Sequence, residues 1–82
     1  MPKNSDKKIF EIDEEATGKH IGAIMADKGV STRDMANMLG VSFQAVSGYL
    51  HGQRMPTLPH LFIIGQILGT GIDDLIVSKS YI

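Results

Sequence analysis

The stretch that most limits what this chain can fold into is "LGVS", Leu39 to Ser42. On its N-terminal side, "STRDMANMLG" opens with Ser31, a good N-cap, and Asp34 stands three residues on, where the acid of a capping box stands. Met35, Ala36, Met38 and Leu39 are expected to point inward from this helix, and Gly40 ends it after about eight residues. On the C-terminal side Ser42 caps another short helix through "FQAVSGYLH", closed by Gly52. Val46, Tyr49 and Leu50 form its apolar stripe. Two short helices joined this tightly have to pack on each other directly. Gly40 supplies the left-handed backbone that the turn needs, Val41 packs beneath it, and Ala36 is small where the helices approach.

The rest of the chain reads as further helices around this pair. A first helix is expected over Glu14 to Lys28, capped by Asp13, with acidic residues at its positive end. Ile21, Ile24, Met25 and Lys28 give it one mostly apolar face, and Gly29 stops it. After the loop "QRMPTLP" a fourth helix starts with Thr57 as cap and Pro59 in its first turn. It carries Leu61, Phe62, Ile64, Ile67 and Leu68 to Gly69. "IDDLIV" makes a short fifth helix with Ile72, Leu75 and Ile76, and no segment reads as a strand. The expected fold is therefore all-α, a compact five-helix domain over residues 13–78, with a flexible N-terminal arm over 1–12 and a C-terminal tail over 79–82. A chain of 82 residues, 43% hydrophobic and 21% charged, suits one small soluble domain and not two. It has no cysteine, so neither a disulfide nor a thiolate metal site shares the work of its apolar core.

The glycine-containing turn between two short helices is the signature of a helix-turn-helix. From about Thr17 to Ile76 the chain resembles the Cro/phage-repressor-type, XRE-like helix-turn-helix family. The resemblance is carried by "GVSTRDMANMLGVSFQAVSGYLHG" followed by "RMPTLPHLFIIGQILG". The order and spacing of Ser31, Met35, Ala36, Leu39, Gly40, Val41, Ser42, Val46, Ser47, Gly52, Pro56, Leu68 and Gly69 fit the family pattern. It implies a lambda-repressor-like domain acting as a homodimer on inverted-repeat operators in double-stranded DNA. The helix over 42–51 would lie in the major groove and the preceding helix would cross the backbone. Three positions depart from the pattern. Thr32 stands where the family commonly has a Gln that holds a phosphate. Met25 and Leu50 stand where it commonly pairs an Arg with a Glu. Both being apolar, neither leaves an unpaired charge in the core, and the two are expected to touch. The third helix also lacks the Arg, Lys or extra Gln that many relatives carry.

The outward surface of that helix is expected to hold Phe43, Gln44, Ser47 and Gly48. Recognition helices present their N-terminal residues to base edges. Gln44 can bind adenine N6 and N7 together, and Phe43 can pack on a thymine methyl. Ser47 can donate or accept, to base or phosphate. Gly48 costs roughly 1 kcal/mol relative to Ala inside a helix: either its bare backbone lets the helix sit closer to a base pair or phosphate, or the helix simply tolerates it. Phosphate contacts are expected from the edges: Thr32 and Arg33 at the start of the second helix, Ser42 at the cap of the third, His51, Gln53 and Arg54 after it, and Thr57 opening the fourth. Such contacts position the protein, whereas base contacts specify the sequence.

The net charge of −1 gives no global pull toward DNA. It conceals a mildly basic middle, with Lys19, Lys28, Arg33 and Arg54 against Asp27 and Asp34, after an acidic cluster of Glu11, Asp13, Glu14 and Glu15. Lys3, Lys7 and Lys8 read as a solubilising arm. His20, His51 and His60 are widely spaced, so no metal or other cofactor is expected. No nucleophile–base–acid set or phosphate loop stands out, so no enzymatic activity is expected. The longest apolar run, "LFIIGQILG", is too short for a bilayer, and "MPKNSDKK" leads into no apolar segment of a signal peptide. A cytoplasmic protein without membrane contact is the expectation. "LIVSKSYI" is too apolar for a simple tail, which places Ile76, Val77, Tyr81 and Ile82 at an expected dimer interface. A second reading is a protein-interaction helix-turn-helix module, antitoxin-like or a repressor partner, with weak or no DNA binding. The uncharged third helix favours it; Arg33, Arg54 and the intact turn favour the first.

Overall fold

Each of the four longer helices begins on a side chain that accepts a hydrogen bond from its own first turn, in a computed structural model that describes residues 9–81. Asp13 opens α1 (Glu14–Lys28) by accepting from the Ala16 amide at 3.0 Å. Ser31 opens α2 (Thr32–Leu39) with a full capping box: its hydroxyl accepts from the Asp34 amide at 3.0 Å and the Asp34 carboxylate accepts from the Ser31 amide at 3.2 Å. Ser42 opens α3 (Phe43–Leu50) by accepting from the Ala45 amide at 3.0 Å. Thr57 opens α4 (Leu58–Leu68), accepting from the His60 amide at 3.4 Å, with Pro59 in the first turn. Such caps satisfy amides that a helix cannot bond internally and are worth about 1 kcal/mol each. A single turn, α5 (Ile72–Leu75), follows. Gly40 has φ +72°, so the turn between α2 and α3 uses the left-handed conformation its sequence suggests.

The core is assembled from all five helices. Ile21 and Met25 of α1, Met35, Ala36 and Leu39 of α2, and Ala45, Val46 and Tyr49 of α3 meet Leu61, Ile64 and Leu68 of α4, and Leu75 of α5 is fully buried. Leu50 packs partly buried against the same cluster that holds Met25, so the two apolar substitutes for a charged pair join one core. Met38 departs from the expectation that it points inward and is 50% exposed. Met35, Ala36 and Leu39 already fill the inward stripe of α2, which leaves Met38 on its flank.

Two glycines set how α3 sits on α1. A Cβ on Gly18 would stand 2.4 Å from the Tyr49 carbonyl oxygen and 2.7 Å from that of Leu50. The end of α3 therefore lies directly on the α1 backbone. Gly52, just beyond α3, has φ +73°, and a Cβ there would stand 2.6 Å from Glu15 Cα. The chain can leave α3 along this path only because residue 52 has no side chain.

The chain also contains strands, although no segment of the sequence reads as one. β1 (Ile9–Ile12) pairs antiparallel with β2 (Ser78–Tyr81), placing Ile9 opposite Tyr81 and Ile12 opposite Ser78. Residues 9–12 and 79–81, expected within an arm and a tail, thus form a two-stranded sheet joining the two ends of the domain. Residues 1–8, with Lys3, Lys7 and Lys8, lie outside the described residues, as do Ile82 and the Tyr81 side chain. The sheet is tied to α1 at Val77. The Asp13 amide donates to the Val77 carbonyl at 2.8 Å. The Thr17 hydroxyl accepts from the Val77 amide at 2.9 Å and donates to the Val77 carbonyl at 3.2 Å. Thr17 is only 1% exposed. Thr17→Val keeps the shape but strands the Val77 amide without its partner, an expected loss of about 1–3 kcal/mol. Thermal melting of Thr17→Val should therefore fall below that of Thr17→Ser, which keeps the hydroxyl; equal melting temperatures would show that the clamp contributes nothing. Lys79 and Glu11 pair across the sheet at 3.7 Å, both well exposed, and such a pair adds little. Among the described residues, no helix is long and apolar enough to cross a membrane.

Candidate nucleic-acid interface

The outward face of α3 begins with two exposed residues, Phe43 and Gln44, in its first turn. They are the N-terminal residues of the second helix of the pair, the part of such a motif that can reach base edges. Phe43 is 45% exposed for an aromatic side chain outside the core. Arg33, in the first turn of α2, stands over its ring with the guanidinium carbon 5.6 Å from the centroid. A guanidinium at that distance is held by the ring's negative face. Phe43 thus orients an exposed cation beside the exposed face of α3, a pairing that the sequence alone did not reveal.

One turn on, Ser47 is half-buried. His51 folds back over it: Nδ1 lies 2.7 Å from the Ser47 carbonyl oxygen and 3.5 Å from its hydroxyl. The short contact to a carbonyl places the ring proton on Nδ1, which leaves Nε2 as the atom able to meet a ligand. His51 caps the C-terminal end of α3 in this way and stays exposed. Gln53 and Arg54 are exposed in the loop that follows.

Gly48 departs from its expected place on the outward face. It is buried, and the space beside it is occupied by the Arg54 side chain, whose Cγ lies 3.0 Å from where a Cβ of residue 48 would stand. A helical projection puts residue 48 outside, but the loop after α3 returns across it.

The remaining phosphate candidates sit at helix starts. Thr32 is half-buried in the first turn of α2, where unbonded amides and the helix dipole favour an anion. Ser42 and Thr57 are exposed caps. Each uses an oxygen lone pair on its own helix, so its hydroxyl proton stays available to an acceptor. Arg33, Phe43, Gln44, Ser47, His51 and Arg54 are thereby gathered on and around α3. Beside them runs an acidic border. Glu11, Asp13, Glu14 and Glu15 line a cleft with Ile12, Gly52 and Lys79, and Gly52 connects that cleft to the end of α3. Of the expected dimer residues, Ile76 packs against the chain's own core and Val77 is clamped by Thr17.

The sequence reading missed Thr17 and Gly18. Neither touches the candidate face, but both place α3 and the sheet relative to α1. A signal for Gly18 was present, since Gly18 and Gly22 stand four apart and so share one face of α1.

A helix-turn-helix family model matches residues 21–75, more than half of the chain. The chain belongs to this family, of the Cro/repressor, XRE-like type, whose members are DNA-binding regulators of transcription. Among solved structures it is similar to the restriction-modification controller protein C.AhdI from Aeromonas hydrophila, at 24% identity and a TM-score of 0.71, covering 77% of this chain and 96% of that one. It is similar to the clp gene regulator ClgR from Corynebacterium glutamicum at 29% identity and a TM-score of 0.71, covering 76% of this chain and 66% of that one. The same fold recurs within the hydroxypropylphosphonic acid epoxidase from S. wedmorenis, at 22% identity and a TM-score of 0.71. There it covers 78% of this chain but only 34% of the enzyme, a likeness of fold alone. No curated protein sequence matches the chain.

Proposed function

We propose that this helix-turn-helix protein is a sequence-specific, non-enzymatic transcription regulator that reads double-stranded DNA as a homodimer. One observation carries the reading: α3 presents an exposed, uncharged N-terminal face, Phe43 and Gln44, with exposed guanidiniums on either side, Arg33 on α2 and Arg54 in the following loop. The helix contacts bases through amide, hydroxyl and apolar groups while the flanking arginines take phosphates. Thr32, Ser42, Gln53, Thr57 and the Nε2 of His51 add hydrogen bonds to the backbone. The acidic border formed by Glu11, Glu14 and Glu15 repels phosphate and marks where the contact surface ends. The second copy docks at the C-terminal segment, through Val77, Tyr81 and Ile82 and the outer edge of the sheet. Ile76 contributes less, because its own core already covers part of it.

The test is selection of bound DNA from a random pool, followed by affinity against salt. Two arginines in each of two subunits give an expected slope of about −4 in log affinity against log salt, at about 0.9 per neutralised phosphate. Enriched sequences should be inverted repeats, and sedimentation at high micromolar concentration should give a dimer. A pool that yields nothing bound more tightly than random DNA at low salt overturns the reading. It would favour instead a protein-interaction module, for which the exposed Met38, Leu58 and Phe62 supply apolar surface. A monomer by sedimentation would overturn the dimer.

A further inference from the structure

Gly48 and Arg54 are joined twice. The Gly48 carbonyl accepts from the Gln53 amide at 2.9 Å and from the Arg54 amide at 3.4 Å. The point where a Cβ of residue 48 would stand is 3.0 Å from Arg54 Cγ, 3.3 Å from Cδ and 3.4 Å from Nε. The aliphatic stem of Arg54 therefore lies across α3 in space that any other side chain at 48 would occupy. Among the described residues the Arg54 guanidinium has no ion-pair partner. Glycine is also the poorest helix former after proline, so its presence inside an eight-residue helix needs a local reason.

We propose that Gly48 is a positioning residue for DNA binding: its missing side chain is the seat that lays the Arg54 stem over α3 and holds the guanidinium at the DNA backbone beside the bases read by Gln44. The inference rests on the DNA-binding reading above. The backbone hydrogen bonds set where Arg54 starts, and the bare Cα sets where its side chain goes. A long flexible arginine loses much rotamer freedom on ordering. A seat that orders it before DNA arrives lowers what binding must overcome.

The atoms that a methyl at 48 would meet belong to a flexible exposed side chain, not to backbone. In Gly48→Ala the helix is expected to stay where it is and the Arg54 stem to give by a few tenths of an ångström, which lifts it off its seat. The variant should fold at least as well as wild type yet bind DNA as though Arg54 were displaced. The experiment compares wild type, Gly48→Ala, Arg54→Ala and the double variant, each by thermal melting and by affinity for the selected operator over a salt series. Gly48→Ala is expected to melt at or above wild type, with a salt slope shallower by about 0.9 per subunit. Adding it to Arg54→Ala should change neither slope nor affinity. In the absence of DNA, the Arg54 Nε–H resonance should be ordered in wild type and averaged in Gly48→Ala.

Wild-type slope and affinity in Gly48→Ala would overturn the seat. So would a loss of equal size with and without Arg54, which would put residue 48 itself against DNA. So would a fall in melting temperature that Arg54→Ala does not relieve, which would mean that the methyl meets backbone. Failure of wild type to bind any selected DNA ends the DNA-binding reading instead, and the Nε–H resonance then decides the seat on its own.

Discussion

Gly18→Ala is expected to melt far below wild type, although the same change in an isolated helix is stabilising by about 1 kcal/mol. The added methyl would stand 2.4 Å from one backbone oxygen of α3 and 2.7 Å from the next. Neither can swing away as a side chain would, so α1 and α3 have to separate. Overpacking of this kind costs about 1–3 kcal/mol and sometimes more, and contact with backbone on the far side places Gly18 at the upper end. A domain of this size loses roughly 4–8 °C per kcal/mol, so a fall on the order of 10–20 °C is expected. Gly22→Ala is the control on the same face, one turn on. There a Cβ would stand 3.8 Å from Leu50 Cδ2, an ordinary contact. Gly22→Ala should melt at or above wild type. Two identical substitutions four residues apart should thus move the melting temperature in opposite directions. Equal shifts would mean that α3 does not lie on α1 as closely as the Gly18 geometry requires.

The contrast between these glycines also explains what could be read from the residues and what could not. The caps were legible because each is local: Asp13, Ser31, Ser42 and Thr57 bond to an amide three residues away, and the residue types carry the geometry. The turn at Gly40 was legible for the same reason. The sheet was not, because β1 and β2 have four residues each and lie at opposite ends of the chain. So short a stretch has no measurable period, and the pairing exists only once five helices have brought the ends together. Met38 was misread because apolar character was taken for burial, while three neighbours already filled the stripe. At the interface, Phe43 and Gln44 stand exposed as helical geometry requires. Gly48 does not, because a helical projection contains nothing of the loop that follows, and Arg54 comes back from that loop to cover it. The stacking of Arg33 on Phe43 escaped for a related reason, since the two belong to different helices and meet only through the turn.

Gln44→Ala should abolish the preference at one base pair in each half-site while leaving the salt slope unchanged. Gln44 is exposed in the first turn of α3 and neutral, so its removal takes away no cation and disturbs no core contact. Melting should be unaffected. A bidentate amide on adenine is worth about 1–3 kcal/mol against the wrong base, which is roughly 5- to 150-fold in relative affinity at about 1.4 kcal/mol per tenfold. Arg33→Ala should do the reverse: weaken all sequences alike and make the slope shallower. The two effects are expected to separate cleanly because α3 has no charge of its own. In a helix that reads bases with arginine, one substitution would move specificity and salt dependence together. Under the proposed function, specificity is expected from α3 and charge from its flanks, so a binding matrix for Gln44→Ala and a salt series for Arg33→Ala should report different physical contributions. If Gln44→Ala keeps the wild-type preference at every position, the amide is not the reader. Discrimination would then fall to Phe43 and Ser47, with Phe43→Ala expected to lose both a thymine contact and the ring that holds Arg33 in place.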